Sequence, residues 1–403
     1  MTKQNVLVFE AYPFFSGSQR ITLNLCKILK NRGFVVTLLL ADDQFGKQKI
    51  HFEDYVNDIK YIKTNDVLLK YGDEDSWFSK KTFFKSFFLG LIPFYFKSFK
   101  LINSKKYDFL YCCDPRGAVL MFIAALFFKK KSILHYHGKN RLPLVLSKIL
   151  MKVFDEVLCV SQDVANSLPV SKNKIVIYNG LDIDQYTNLK YPEIKDEISL
   201  KKSNIKDKTF LYVGAIRPHK GLHHIINSFN EVIKDLTKIN KSALLFISGE
   251  EKSHEEVLFK RTLVDFIEKE GLSQNIIWLG WNNNVIGWMK NCDYLLFASV
   301  NREKNNYSGF GEYIASSEGL PTVLVESSMC KLYSISSSVT GVKEVISKNN
   351  GYIYDFRKDG LTKAILEVLK NDFKFKDFPN SDYFKIDTFE KRMLKMFINK
   401  HKK

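Results

Sequence analysis

Two glutamates eight positions apart, Glu318 and Glu326 in SEGLPTVLVESS, carry the most legible chemistry in this chain. Glu318 precedes a Gly319-Leu320-Pro321 turn, and Thr322 is placed to cap a helix beginning near Val323. The first-turn N–H groups of such a helix lie at the positive end of its dipole and suit an anion such as a diphosphate. A carboxylate before the turn and another inside the helix accept hydrogen bonds from hydroxyls on either side of that anion. The spacing fits a sugar and a ribose flanking a diphosphate, the layout of a nucleotide-sugar site.

Such a site needs a scaffold that presents loops at strand ends. In the first half, strand-like runs at 5–12, 34–41, 109–113, 132–138, 156–161 and 174–180 alternate with helical patterns such as 16–33, which ends at Gly33. A second series follows at 209–216, 243–250, 275–281, 293–299 and 350–356. Repeated strand–helix units imply parallel sheets wound by helices. At 403 residues two domains are expected. The reading is an α/β chain of two Rossmann-like domains facing each other across a cleft, with ligands beyond the carboxyl ends of the strands. The domains are expected at 1–190 and 209–378. The charged, aperiodic 191–208 reads as a linker, and 379–403 as a C-terminal helix packing back on the first domain.

Composition excludes some classes. The six cysteines show no C-x-x-C and no zinc spacing, so they read as buried free thiols in a reducing compartment. The start, MTKQNVLVFEAYPFF, lacks the order of a signal peptide. The net charge of +17 concentrates at 76–150, where fourteen Lys or Arg face only Asp108 and Asp114. Within it, FFKSFFLGLIPFYFKSFKLI (83–102) interleaves Lys85, Lys97 and Lys100 with aromatics, and its uncharged part is far short of the roughly 20 residues that span a bilayer. It reads as a peripheral segment that inserts aromatics among anionic headgroups, against the plainer reading of a buried helix with a basic edge. AVLMFIAALFF (118–128) reads as core. No nucleic-acid motif accompanies the charge.

Taken in order, SGSQR (16–20), ILHYHGK (133–139), YNGLD (178–182), VGAIRPHKG (213–221), WLGW (278–281) and SEGLPTVLVESS resemble the retaining nucleotide-sugar glycosyltransferases of GT-B type, family 4. The resemblance runs from residue 5 to about 346. It implies that Gly17, in the place of a Gly-Gly turn whose first glycine is here Ser16, lets a phosphate approach a helix terminus. It implies that His137 lies near the transferred sugar, with His135 on the same strand face one pair deeper. Asn179 and Gly180 are read as a structural turn, with Gly180 at positive φ and Asn179 bonding locally.

For the donor, the resemblance implies that Lys220 neutralises the departing diphosphate. The family's arginine position holds Ala215, and Arg217, two residues on, is either its substitute or a solvated charge. Gly280 and Val285 would line the nucleobase, whereas Trp288 belongs to core or domain surface. Leu320, Pro321 and Thr322 supply the phosphate-binding helix start, Glu326 holds the ribose and Glu318 contacts the sugar. Two departures, Lys331-Leu332-Tyr333 for Gly-x-Pro and Thr340-Gly341 for Gly-Gly, are placed near the sugar pocket. The insertion 300–315 is expected to be a mobile acceptor-side lid or a plain surface loop.

The implied reaction moves a sugar, with retention, from a UDP- or GDP-linked donor to a glycan or glycolipid hydroxyl, without a bound cofactor or divalent ion. The segment 83–102 would hold the enzyme on the cytoplasmic face of a membrane, as in capsule or other surface-polysaccharide assembly. Two rivals stay open: a nucleotide-sugar 2-epimerase, and a degenerate homologue acting as a membrane-associated scaffold.

Overall fold

The computed structural model describes residues 3–12, 15, 17–41, 49–65, 68, 83–102, 106–182, 191–201, 207–356 and 360–397. The chain divides into two compact units, residues 1–180 with 383–403, and residues 181–382.

The first unit holds β1 (Asn5–Glu10), β2 (Val35–Ala41), β3 (Asp58–Ile62), β4 (Phe109–Cys112), β5 (Lys131–Tyr136), β6 (Glu156–Cys159) and β7 (Lys174–Val176). They pair in parallel in the order β3-β2-β1-β4-β5-β6-β7. Most of these strands are near-continuous apolar runs because both sheet faces are covered. Helix Gly17–Asn31 packs Ile21, Leu25, Ile28 and Leu29, at helical spacing, with Val6, Val8, Val36 and Leu38.

The C-terminal helix Ile386–Met396 belongs to this same core. It buries Phe389 and Met393, and Phe397 just beyond it sits with its ring centroid 5.3 Å from that of Phe109. Each large apolar side chain buried this way contributes about 1.5–3 kcal/mol. Gly180 is a glycine for this reason: a Cβ there would lie 2.5 Å from Phe389 Cβ and 2.9 Å from Ile386 Cα. It is not among the positive-φ glycines, so the expected left-handed turn is replaced by a close helix approach.

The second unit holds β8 (Lys208–Val213), β9 (Ala243–Ser248), β10 (Ile276–Gly280), β11 (Tyr294–Phe297), the short hairpin β12 (Glu303–Lys304) and β13 (Tyr313–Ile314), β14 (Tyr333–Ser337) and β15 (Gly351–Tyr354). Six form a parallel sheet in the order β10-β9-β8-β11-β14-β15, and β12 pairs with β13 antiparallel. In both sheets the order reverses beside the first strand, between β1 and β4 and between β8 and β11. Loops leaving such a pair of strands diverge to opposite faces and open a crevice at their carboxyl ends, where ligands bind in open α/β sheets.

Two expectations of local structure need correction. The segment read as linker contains helix Pro192–Lys201, which belongs to the second unit; residues 202–206 lie outside the described set. Its low amphipathicity hid it. Strand β14 escaped the apolar reading because YSISS alternates serines with Tyr333 and Ile335, yet all five residues are buried. The serines are hydrogen-bonded: Ser334 Oγ lies 2.8 Å from Ser327 Oγ, and Ser337 Oγ donates to the Ser299 carbonyl at 2.7 Å.

Candidate functional site

In the second unit the loop after β8 ends in a single turn, Pro218–Lys220, closed by Gly221 at φ +71°. A Cβ on Gly221 would stand 1.9 Å from the Ala298 carbonyl oxygen, just past β11. The Val300 N–H donates to the His219 carbonyl at 3.1 Å. The loop carrying Lys220 is thereby locked against the end of β11, at the crevice.

Lys220 Nζ pairs with Glu318 Oε1, which also accepts from Ser299 Oγ at 3.3 Å. The Glu318 side chain is only 13% exposed, and its N–H donates to Ser316 Oγ at 3.2 Å. Burial alone would push its carboxyl up; the Lys220 ammonium, with help from His219 and Ser299, outweighs this and holds it below the usual carboxylate range. Glu318 is therefore an anion at neutral pH, suited to accepting hydrogen bonds and unsuited to donating a proton.

Immediately downstream, helix Thr322–Met329 begins one residue earlier than the sequence implies. Pro321 is the cap residue, and no side chain caps the first turn, so Thr322 is inside the helix and its hydroxyl does not serve as the cap. Glu326 lies one turn further in and is partly exposed. Leu320 and Pro321 are buried. The turn before the helix is held from behind by Gly341, at φ +79°, where a Cβ would stand 2.4 Å from the Gly319 carbonyl oxygen.

In the first unit, β5 delivers His135 and His137. His135 is fully buried and its Nδ1 lies 2.5 Å from the Tyr111 hydroxyl, a structural partner. His137 follows the strand, its ring centroid 4.1 Å from that of His135, and neither of its buried ring nitrogens has a hydrogen-bond partner among the described residues. Burial lowers its pKa to about 4, so the imidazole is neutral at pH 7. A buried polar group left unpaired costs about 1–3 kcal/mol, which a bound ligand can recover. Helix Gly17–Asn31 starts at Gly17, where a Cβ would meet nothing within 4 Å. No protein atom among those described requires glycine there; Ser16 lies outside the described residues.

The sequence reading missed Glu10 and Asp114, which end β1 and follow β4 at the first unit's crevice. Glu10 is 1% exposed, accepts from the Tyr12 N–H at 3.0 Å and leaves Oε2 without a partner among the described residues. Burial, then the nearby Asp114 carboxylate, raises its pKa. A charged residue closing an otherwise apolar strand, NVLVFE, was the available signal. Asn179, expected to bond locally, has a buried Oδ1 without a partner among the described residues.

The family profile "Glycosyl transferases group 1" matches residues 195–381, and "Glycosyltransferase Family 4" matches residues 15–185. The chain belongs to the group 1 glycosyltransferases. It is 22% identical over 234 residues to the N-acetylgalactosamine-N,N'-diacetylbacillosaminyl-diphospho-undecaprenol 4-alpha-N-acetylgalactosaminyltransferase of Campylobacter jejuni. That match spans 57% of this chain and about half, 54%, of the relative. A second relative, the UDP-Gal:alpha-D-GlcNAc-diphosphoundecaprenol alpha-1,3-galactosyltransferase of Escherichia coli, is 19% identical over 91% of this chain and 88% of its own. The fold resembles Anabaena HepE, solved with UDP and glucose, at TM-score 0.72 and 16% identity over 98% of this chain and 99% of that one. Sucrose-phosphate synthase from Thermosynechococcus elongatus matches at TM-score 0.70 and 14% identity, over 98% of each chain. These neighbours show the GT-B fold.

Several residues of this glycosyltransferase sit differently from the sequence reading. Arg217 donates Nε–H at 2.5 Å to Glu256, a carboxylate 2% exposed that also accepts from the Lys252 N–H at 2.6 Å. At least one of its five donors is thus committed to neutralising a buried acid, so it is not simply a solvated charge. Gly280 has φ +63°, and its carbonyl accepts from the Gly249 N–H at 2.9 Å. Val285 opens helix Val285–Asn291 and is partly exposed. Trp288 is core, 1% exposed, with its ring 4.8 Å from Phe246.

Lys331 sits at φ +61° past the far end of helix Thr322–Met329, which is about 12 Å long at 1.5 Å per residue. There the Leu332 N–H closes on the Ser327 carbonyl at 2.9 Å, a helix stop that favours glycine.

The 300–315 insertion is a pinned hairpin. Its neck closes with the Ser316 N–H on the Val300 carbonyl at 2.8 Å, and Tyr307 and Phe310 pack on the core, the Tyr307 ring 4.6 Å from Phe259. Asn305 braces it by donating to the carbonyls of Tyr307 and Gly311 at 2.7 and 2.6 Å. Its polarity hid these anchors, because their partners lie 50 to 80 residues away.

The segment 83–102 is helical, with a π turn at Ser86–Leu91 leading into helix Ile92–Ile102. Phe94, Ser98 and Ile102 face inward while Phe84, Phe88, Leu89 and Phe96 are 55–75% exposed. The run 118–128 is core through Ala118–Met121, Ala124 and Ala125, but Leu126 and Phe127 emerge, and Phe99 meets Phe127 edge-on at 5.5 Å. Leu144, Val145 and Ile149 on helix Leu144–Val153 are also exposed. Lys85, Lys97 and Lys100 lie among these exposed apolar residues in the chain. Among the described residues no helix is long and apolar enough to cross a membrane.

Proposed function

We propose that this glycosyltransferase is a retaining enzyme that moves a sugar from a UDP-linked donor to a hydroxyl of a lipid-linked glycan. The observation that carries the reading is the Lys220–Glu318 pair standing before the uncapped start of helix Thr322–Met329. A cation and free amides serve a diphosphate, and a flanking anion serves sugar hydroxyls. UDP as the nucleotide is supported by the ligands of the HepE structures, and a lipid diphosphate acceptor by the names of the two bacterial relatives.

When donor binds, Lys220 turns part of its charge from Glu318 to the diphosphate. Glu318, ionised, then accepts from the sugar hydroxyls, and Glu326, one turn into the helix, accepts from the ribose. Gly280 lies at the nucleobase end and leaves room for it. His137, neutral, offers one donor and one acceptor to the sugar. Gly17, at the start of its helix, leaves its amide accessible to phosphate. Neither glutamate acts as nucleophile or acid; the departing phosphate takes up the acceptor proton, and charge is balanced by Lys220 rather than a divalent ion, with Arg217 secondary. In this reading the exposed aromatics and lysines of 83–102 hold the enzyme on anionic lipid at the cytoplasmic membrane surface, where it serves surface-polysaccharide assembly.

The test is product analysis with UDP-sugars and a lipid diphosphate acceptor. Lys220→Ala and Glu326→Ala lower turnover at least 100-fold while remaining folded, on the scale of about 10²–10³ for losing one charge-stabilising group. Wild-type turnover in either removes the assignment; an epimer formed from donor alone points to an epimerase, and stimulation by added Mg²⁺ refutes the metal-free donor site. Flotation with anionic vesicles is lost in the Phe84→Ser/Phe96→Ser double variant; binding unchanged in that variant removes the membrane role of this face.

A further inference from the structure

We propose that His223, His224 and Glu303 form a binding site for a divalent transition-metal ion of the zinc class, which fastens the 300–315 hairpin to the helix that follows the Lys220 loop. Both histidines lie in the first turn of helix Leu222–Thr237, and Glu303 is the first residue of β12. His223 Nε2 and His224 Nε2 each lie 3.0 Å from Glu303 Oε1, and His224 Nε2 is also 2.8 Å from Oε2. The three ligand atoms lie within 4.8 Å of one another; among the described residues this is the one such group of His, Cys, Asp and Glu.

Two imidazoles and one carboxylate are a donor set for zinc, cobalt or iron rather than for magnesium or calcium. Geometry leaves an open side. A cavity of 480 Å³ beside the cluster is lined by His224, Glu231, Arg302, Glu303, Tyr354 and Phe356, enough for a water or another ligand to complete coordination. Aromatic rings pack on both imidazoles, with the His223 ring 5.3 Å from Tyr307 and the His224 ring 4.8 Å from Phe356.

Without metal the same atoms are a hydrogen-bonded clasp, and the two states are separable. In the ion-bound state each neutral imidazole carries its proton on Nδ1 and coordinates through Nε2; in the clasp the proton is on Nε2, which donates to Glu303. The chemistry is outside the donor site: Lys220 and Glu318 take no part, although His223 is only three residues from Lys220.

The experiment uses the full chain, free of any histidine tag and stripped by a chelator, titrated with Co²⁺ while the visible absorption of the bound ion is recorded, then with Zn²⁺ in competition. One equivalent binds per chain at micromolar or tighter affinity, and Zn²⁺ displaces it. Glu303→Gln, which keeps a carbonyl acceptor for the imidazoles, weakens binding at least about 10-fold, as does His224→Ala, while Lys220→Ala leaves it unchanged. Zn²⁺ raises the melting temperature of the wild type and not that of Glu303→Gln. Absence of binding at 100-fold excess over protein, or binding equal in Glu303→Gln and wild type, overturns the site and leaves the hydrogen-bonded clasp.

Discussion

Gly221 offers a sharp test of how the Lys220 loop is held. Gly221 and Gly271 have nearly the same backbone, φ +71° and +69°, and lie in the same unit. A Cβ at 271 meets nothing within 4 Å, so Gly271→Ala pays the left-handed strain alone, about 1 kcal/mol. At 221 the added carbon would lie 1.9 Å from the Ala298 oxygen and 2.7 Å from its carbon, where ordinary contact begins at 3.4 Å. The loop and the end of β11 must therefore part by roughly 1.5 Å, adding about 1–3 kcal/mol of overpacking. Gly221→Ala should be destabilised by about 2–4 kcal/mol, against about 1 for Gly271→Ala, measured by urea denaturation of both variants side by side. Because Lys220 precedes the displaced residue, turnover should fall about 100-fold, the cost of misplacing a functional group by an ångström. Equal destabilisation of the two variants, or full turnover in Gly221→Ala, would refute the idea that this contact positions Lys220.

Two further outcomes follow from single residues. Lys331 occupies the left-handed stop of helix Thr322–Met329, so Lys331→Gly should stabilise the protein by about 0.5–1 kcal/mol without altering turnover, read from the denaturation midpoint and initial rates. His137, with its folded pKa near 4 against an unfolded value near 6.5, contributes stability that is complete above pH 6.5. The unfolded chain takes up a proton that the folded chain refuses as pH falls from 6.5 toward 4, so this stability drains away over that window. His137→Gln should lose about 2 kcal/mol less than the wild type between pH 7 and pH 4.5 in matched unfolding curves, and an identical loss would show the ring to be solvated.

The primary sequence by itself determined the architecture of both units and placed the candidate site of the second. Near-continuous apolar strands can only be buried on both faces, and this gave the parallel sheets from local runs. The Glu318 turn and its helix were legible because a Gly-Leu-Pro turn and two carboxylates are local signals, although Pro321 and not Thr322 holds the cap position. The sequence also showed Lys220 as a cation on a strand-end loop, and tertiary structure brought it onto Glu318, 98 residues away.

Other features were decided only in three dimensions. Gly180 and Gly341 look like turn residues in sequence, yet Gly180 answers to a helix more than 200 residues on, and Gly341 combines its turn with the back of the Gly319 loop. Arg217 read as a possible phosphate ligand, and the fold gave it a buried carboxylate on another helix. Glu303 lay in a polar insertion, and its side-chain partners are two histidines about 80 residues earlier. In each case the deciding quantity is a steric distance or an electrostatic pairing between segments far apart in the chain. Such terms exist only once the sheets have set which strand ends are neighbours.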